Sequence, residues 1–263
     1  LLIGIIHKEH DNGYSKRMAK QVIKFFEDNC PDTRQAEIFE GGKDYHMVIT
    51  IGGDGTVLRA NSMVPMSVPL MCINSGTIGY LTDIPKEHMA IGLKNFIKER
   101  WHMETYESIE ASIGDEMMPP AINEVLIKLE TPTNMIKVDI AIDGEYIDTV
   151  QADAFMVATP LGSTAYNYSA GGSVLHPKTQ CFILTAVAPY KPFTPMVVPS
   201  DSVIKLSPKK TYTEKIIISD GMVMSQRIMG DTKSVYISKS EQKRDFVKVF
   251  AHGYFDKIRA RRA

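Results

Sequence analysis

The chain has 263 residues, enough for one large or two modest domains. Its 44% hydrophobic and 23% charged residues are ordinary globular usage and exclude a disordered or collagen-like chain. With 30 Lys and Arg against 31 Asp and Glu the net charge is -1, so no charge excess draws the chain to nucleic acid or to a membrane. Cys30, Cys72 and Cys181 are far apart and form no CxxC. That argues against a disulfide framework or a cysteine zinc site, and a reducing, cytoplasmic setting is expected. No apolar run reaches the roughly 18 residues of a membrane-spanning helix. Residues 1–6 read as a buried strand rather than a signal peptide, because no basic segment precedes them and no small-residue cleavage site follows. The missing Met implies a start that was removed or lies upstream.

The first third alternates strand and helix signals. After residues 1–6 and a polar loop, Met18, Val22, Phe25 and Phe26 recur at helical spacing, and Cys30-Pro31 stops that helix. Residues 36–39 are a short strand candidate. The β-branched run 47–51 ends abruptly at Gly52-Gly53-Asp54-Gly55, followed by a helix over 56–63. The apolar strand 68–73 ends at Asn74-Ser75-Gly76, and residues 86–101 read as one amphipathic helix. Such alternation means right-handed βαβ units and a largely parallel sheet, that is, an α/β Rossmann-like domain.

After Trp101 the period changes to two. Ile136, Val138, Ile140 and Ile142 alternate with polar residues up to the turn dipeptide Asp143-Gly144, and a return strand is expected over 145–159. Further strands are expected at 122–129, 203–206, 216–219, 234–238 and 246–250, which together predict a C-terminal β-sandwich domain. The boundary falls at residues 1–102 and 103–251, with the segment 252–263 returning to the first domain. The basic residues of 254–263 read as a solvated helix end.

Three features carry chemistry. In Gly52-Gly53-Asp54-Gly55-Thr56 the glycines let the backbone turn tightly and approach a ligand. The helix that follows points its positive end at the same place, which suits phosphate. Asp54 is placed to act as a base or to orient a metal-bound phosphate; alone, the loop would also fit a tight turn with Asp54 as helix cap. It is neither a Walker A loop nor a GxGxxG fingerprint. Asn123-Glu124 sits in an apolar strand, where a buried carboxylate needs a partner. An amide and a carboxyl together suit vicinal sugar hydroxyls, and a solvent-facing strand start is the competing possibility. From Asp153 the apolar strand gives way to Thr159-Pro160-Leu161-Gly162-Ser163-Thr164-Ala165-Tyr166-Asn167-Tyr168-Ser169-Ala170-Gly171-Gly172, a loop of small and hydroxyl residues around an aromatic ring. His7 and His10 are weak metal candidates, His176 reads as structural, and Ser163 lies in no nucleophile elbow. The 15 methionines read as core filling.

Over nearly the whole chain, these features resemble the NAD kinase family in order and approximate spacing, and Asn74-Ser75-Gly76-Thr77-Ile78-Gly79-Tyr80-Leu81 looks like that family's second glycine loop. The first loop alone is shared with diacylglycerol and sphingosine kinases and, more loosely, phosphofructokinases; the 159–172 segment is far more specific. The chain departs from the family pattern at Ala152-Asp153-Ala154, at Asp220-Gly221-Met222 and at Pro189-Tyr190. The resemblance implies transfer of the ATP γ-phosphoryl group to the 2′-hydroxyl of the adenosine ribose of NAD. It implies Asp54 as the base, Gly52, Gly53, Gly55 and Thr56 on phosphates, and Asn123 and Glu124 on the ribose. Thr164, Ala165, Tyr166 and Ser169 would line the adenine pocket, with Asp153 and Ala188 at the nicotinamide end. Arg59 is a candidate phosphate partner, and Asp54, Gly55, Arg59 and Tyr80 are further NAD contacts that the resemblance implies. No compact carboxylate cluster suggests a resident metal, so Mg²⁺ or another divalent cation is expected to arrive on ATP or polyphosphate. The site is expected between the domains, and the assembly to be a homodimer or homotetramer. A lipid or sphingoid kinase and a non-catalytic NAD(P)-binding sensor remain the alternatives.

Overall fold

A computed structural model describes residues 1–76, 79–131, 133–210, 213–228, 233–251 and 253–262. Thr77 and Ile78 of the second glycine loop, and Ala263, lie outside the described residues. The chain forms two compact units, Leu1–Thr105 with Lys243–Ala263, and Tyr106–Gln242.

The first unit is the α/β domain. Its parallel sheet places strand Leu2–His7 between Gln35–Ile38 and Met47–Gly52, with Leu70–Asn74 beyond the latter. Every residue of Met47–Gly52 is buried, as befits a strand covered on both faces. Helix Tyr14–Asn29 buries Met18, Ala19, Val22 and Phe26, and these join Ile3, Ile5, Ile49, Ile51, Met71 and Ile73 in one core. The expected helix 56–63 begins earlier, at Asp54, and runs to Met63. The expected helix 86–101 is shorter: a 3₁₀ turn Lys86–His88 leads into helix Met89–Ile97.

The second unit is a sandwich of two antiparallel sheets. One has Glu145–Ala152, Ile136–Ile142, Ile204–Pro208 and the first part of Val235–Lys248 in that order. The other has Met196–Pro199, Cys181–Val187, Ala154–Ala158, Glu124–Leu129, Lys215–Ser219 and Met222–Ile228. Alternating residues of both sheets, among them Val138, Ile140, Leu206 and Ile237 from one and Ile127, Phe155, Phe182 and Ile217 from the other, share one core. Asp143 and Gly144 both have positive φ, 51° and 85°, as their two-residue hairpin turn requires.

Three expectations about strands are corrected. The return strand 145–159 is two strands, Glu145–Ala152 and Ala154–Ala158, one in each sheet, with Asp153 at the crossing. Asn123 precedes its strand, which starts at Glu124. The two strands expected at 234–238 and 246–250 are one, Val235–Lys248. Its last part pairs with the first unit, Phe246 opposite Leu70, so the return to that unit begins at Lys243 rather than at 252.

Candidate functional site

The glycine loop leaves the carboxyl end of strand Met47–Gly52, beside the end of Leu70–Asn74, where ligands of parallel sheets gather. Helix Asp54–Met63 starts there with its first-turn amides at the loop. A Cβ on Gly52 would collide with the Thr56 side chain, so the turn admits only glycine there. Gly53 and Gly55 would meet nothing, leaving their backbone open to a ligand.

Asp54 is fixed by the second glycine loop. Tyr80 N–H donates to Oδ2 at 2.9 Å and Leu81 N–H to Oδ1 at 3.0 Å. A Cβ on Gly79 would stand 2.6 Å from Asp54 Oδ1, which explains the glycine. The two loops thus form one device: the second orients the carboxylate that the first presents, and Asp54 remains partly exposed. Arg59 is held by Glu9 and donates to the His7 carbonyl at 2.6 Å. That ion pair holds the Glu9 carboxyl below its usual range. It also gives the 7–10 loop a task other than metal ligation. Among the described residues, no group of three or more His, Cys, Asp or Glu is arranged to hold a metal ion.

In the second unit, Asn123 and Glu124 are buried at the entrance to their strand. The Asp220 carboxylate accepts three backbone N–H bonds, from Ile122 at 2.9 Å, Asn123 at 2.7 Å and Glu124 at 3.3 Å. Asp220 N–H returns a bond to the Glu124 carbonyl at 3.0 Å. On the other side Thr159 donates its N–H to the Asn123 carbonyl at 2.8 Å and its hydroxyl to Ile122 O at 2.5 Å. Gly162 packs so tightly that a Cβ would strike the Asn123 backbone. Glu124 Oε2 is buried with no hydrogen-bond partner among the described residues. Burial, helped by the nearby Asp220 charge, pushes the Glu124 carboxyl up to about 8. A neutral carboxyl there can both donate to and accept from a hydroxyl.

The 159–172 loop separates into an inside and an outside. Ser163, Thr164 and Asn167 are buried. Ser163 donates to Pro160 O at 2.7 Å, and the Asn167 amide donates to Ser163 O at 3.0 Å and Ser173 O at 3.1 Å while accepting from Thr185 at 2.7 Å. Gly172 sits against Asn167 where a side chain cannot fit. Tyr166 and Ser169 face outward, with Ala165 partly exposed. Asp153 and Ala188 are exposed neighbours at the opposite end of strand Ala154–Ala158 from Asn123 and Glu124. At ~3.3 Å per residue that puts them about 20 Å from Thr159. Ala188 has φ 45°.

Sequence reasoning quoted Asp220 and Asn167 within motifs without reading their roles, and missed the roles of Arg244 and Lys257. The buried Arg244 donates to Asn61 Oδ1 at 2.8 Å and to the carbonyls of Val64, Pro65 and Val68 at 2.8–2.9 Å, closing the end of the helix that Asp54 opens. Lys257 corrects the expectation of a solvated helix end. On helix Tyr254–Arg262 its Nζ donates to Tyr80 O at 2.9 Å and Thr82 O at 3.1 Å.

A glycine loop on a parallel sheet, a doubly anchored aspartate and a sandwich with a small-residue loop define a two-domain, phosphate-handling architecture. Two family models match: the ATP-NAD kinase N-terminal domain over residues 5–101 and the ATP-NAD kinase C-terminal domain over residues 122–249. An NAD kinase of Methanothermobacter thermautotrophicus is 33% identical over 218 residues, covering 82% of this chain and 76% of the relative. One from Methanopyrus kandleri is 32% identical over 220 residues, covering 83% and 78%. The crystal structure of an NAD kinase from Archaeoglobus fulgidus in complex with ATP superposes with a TM-score of 0.80 at 28% identity, covering 99% of both chains. The chain belongs to the NAD kinase family.

Proposed function

We propose that the chain is an NAD kinase that moves the γ-phosphoryl group of ATP to the 2′-hydroxyl of the adenosine ribose of NAD, giving NADP and ADP. The observation that carries this reading is the Asp54 carboxylate, held at both oxygens by loop N–H groups beside glycines whose backbone is open. Phosphoryl transfer asks for positioning and charge neutralisation more than covalent chemistry. Asp54 accepts the 2′-hydroxyl proton as the ribose oxygen bonds to the γ-phosphorus and the bond to ADP breaks. Gly52, Gly53, Gly55, Thr56 and the helix start hold phosphates, with Arg59 as a further cation released from Glu9. Mg²⁺ brought with ATP would supply further neutralisation of phosphate charge; polyphosphate is the other donor of the same chemistry.

Asn123 and Glu124 bind the ribose, the buried Glu124 carboxyl finding in a sugar hydroxyl the partner it lacks. Thr164, Ala165, Tyr166 and Ser169 form the adenine side. The Thr164 side chain is turned inward, so it shapes the loop more than it touches the base. Tyr80 flanks the substrate, and Asp153 and Ala188 serve the nicotinamide end. Among the described residues no helix is long and apolar enough to cross a membrane; cytoplasmic placement and a homodimer or homotetramer belong to the same proposal. The test is ATP-dependent NADP formation by the purified protein, with the 2′ position of the new phosphate read by NMR. Phosphorylation of a lipid acceptor instead, or NAD binding without turnover, would overturn it.

A further inference from the structure

Both anchors of the Asp54 carboxylate come from two adjacent peptide units, the N–H groups of Tyr80 and Leu81. One carbonyl of that pair, Tyr80 C=O in the same peptide unit as Leu81 N–H, and the Thr82 carbonyl two units further on accept from the single Lys257 ammonium at 2.9 and 3.1 Å. These bonds span 177 and 175 residues of sequence and connect the last helix to this loop. The lysine is held there at a cost: burial and the neighbouring Lys248 push its ammonium down to about 8, against Asp83, Glu104 and Asp54, which favour the charge. A lysine serving only to keep its helix soluble would stay in water.

We propose that Lys257 is a positioning residue for phosphoryl transfer, which by tying down the Tyr80 and Thr82 carbonyls fixes the two N–H groups that orient the Asp54 carboxylate. The inference rests on the reading of Asp54 as the base. The ammonium touches neither Asp54 nor the reacting atoms in this account; it acts through the peptide planes between them, which are rigid enough to transmit a tether over one residue. A misplacement on the order of 1 Å costs as much as 100-fold in rate, so a loosened loop is felt in turnover.

The test compares Lys257→Met, which keeps the apolar stem and removes the donors, with wild type and with Arg259→Ala. The latter disturbs only an exposed ion pair to Asp256 on the same helix. In Lys257→Met, kcat falls roughly 10- to 100-fold while the calorimetric Kd for NAD stays within about twofold. Exchange of the Tyr80 and Leu81 amides, followed by NMR or mass spectrometry, accelerates by about tenfold or more, as loss of loop anchoring requires. Arg259→Ala leaves both unchanged. Measurements are made well below each melting midpoint; if Lys257→Met does not fold, Lys257→Gln, with one amide donor left, shows the same pattern at a smaller size. Wild-type kcat and exchange in a folded Lys257 variant, with Asp54→Asn inactive, overturn the positioning role and leave the base assignment standing. Near wild-type kcat in Asp54→Asn overturns both.

Discussion

Asp54 opens the helix just past the end of one strand and Glu124 opens another strand, and the fold treats the two carboxyl groups in opposite ways. Asp54 is partly exposed and has each oxygen anchored by a backbone N–H. Glu124 is buried, its backbone is anchored by Asp220, and its Oε2 has no partner among the described residues. One carboxyl is aimed and left accessible, as a proton acceptor must be. The other is withdrawn from water and left incomplete, as a binding group is before its ligand supplies the missing bond. On the proposed reading, the same side-chain chemistry serves turnover on the first unit and recognition on the second.

The largest effect is expected where turnover resides. Asp54→Asn keeps the shape and loses the base, and kcat should drop by about 10²–10⁴-fold. A steady-state assay with near wild-type kcat would dissolve the contrast between the two carboxyls. The next effect concerns Glu124. Its folded carboxyl is raised to about 8, whereas in the unfolded chain it titrates near 4.5. Between those values the folded protein holds a proton that the unfolded chain has released, so this group's contribution to stability declines as pH rises from 4.5 to 8. The decline is on the order of a few kcal/mol. Glu124→Gln should flatten it in denaturant titrations across that range. The same variant should weaken NAD use by roughly 0.5–1.5 kcal/mol, the scale of a hydrogen bond between neutral groups, and ATP use less. A rise in KM for ATP alone would move Glu124 to the donor side.

Asp220→Ala removes the acceptor of three buried N–H groups and should cost about 1–3 kcal/mol of stability for what it orphans. It should also raise KM for NAD more than it lowers kcat. An equal fall in kcat would mean that Asp220 acts on the reacting groups rather than on the strand entry. An effect no larger is expected at Tyr166, which faces outward from the small-residue loop. Tyr166→Ala should weaken NAD and NADP together by about 1–3 kcal/mol, the scale of base–aromatic contacts in nucleic-acid sites. Unchanged dissociation constants would remove the ring from the site.

What was legible in the sequence was local. Strand Met47–Gly52 and the loop after it announce themselves because an unbroken β-branched run meets three glycines within four positions. The alternation of Ile136–Ile142 and its Asp143-Gly144 turn are equally direct. Strand Cys181–Val187 was not read, since a run covered on both faces shows no alternation. Strand His102–Ile113 was hidden by Glu104, Glu107 and Glu110, on a strand whose first half has no buried residue. The supporting residues were illegible for a different reason. Asp220 works on groups 96–98 positions away, Arg244 on groups 176–183 away and Lys257 on groups 175–177 away. Nothing near Arg244 or Lys257 in sequence marks its use: a lysine in a basic segment looks like any solvated lysine until the fold brings two carbonyls to it.

The division between the two carboxyls is tested most directly by titrating NAD into Asp54→Asn by calorimetry, with NADP formation followed on the same preparation. The account predicts a dissociation constant within about twofold of wild type together with a kcat lowered by about 10²–10⁴-fold. Loss of NAD affinity in that variant, or turnover that survives it, would contradict the assignment of chemistry to Asp54 and of binding to the second unit.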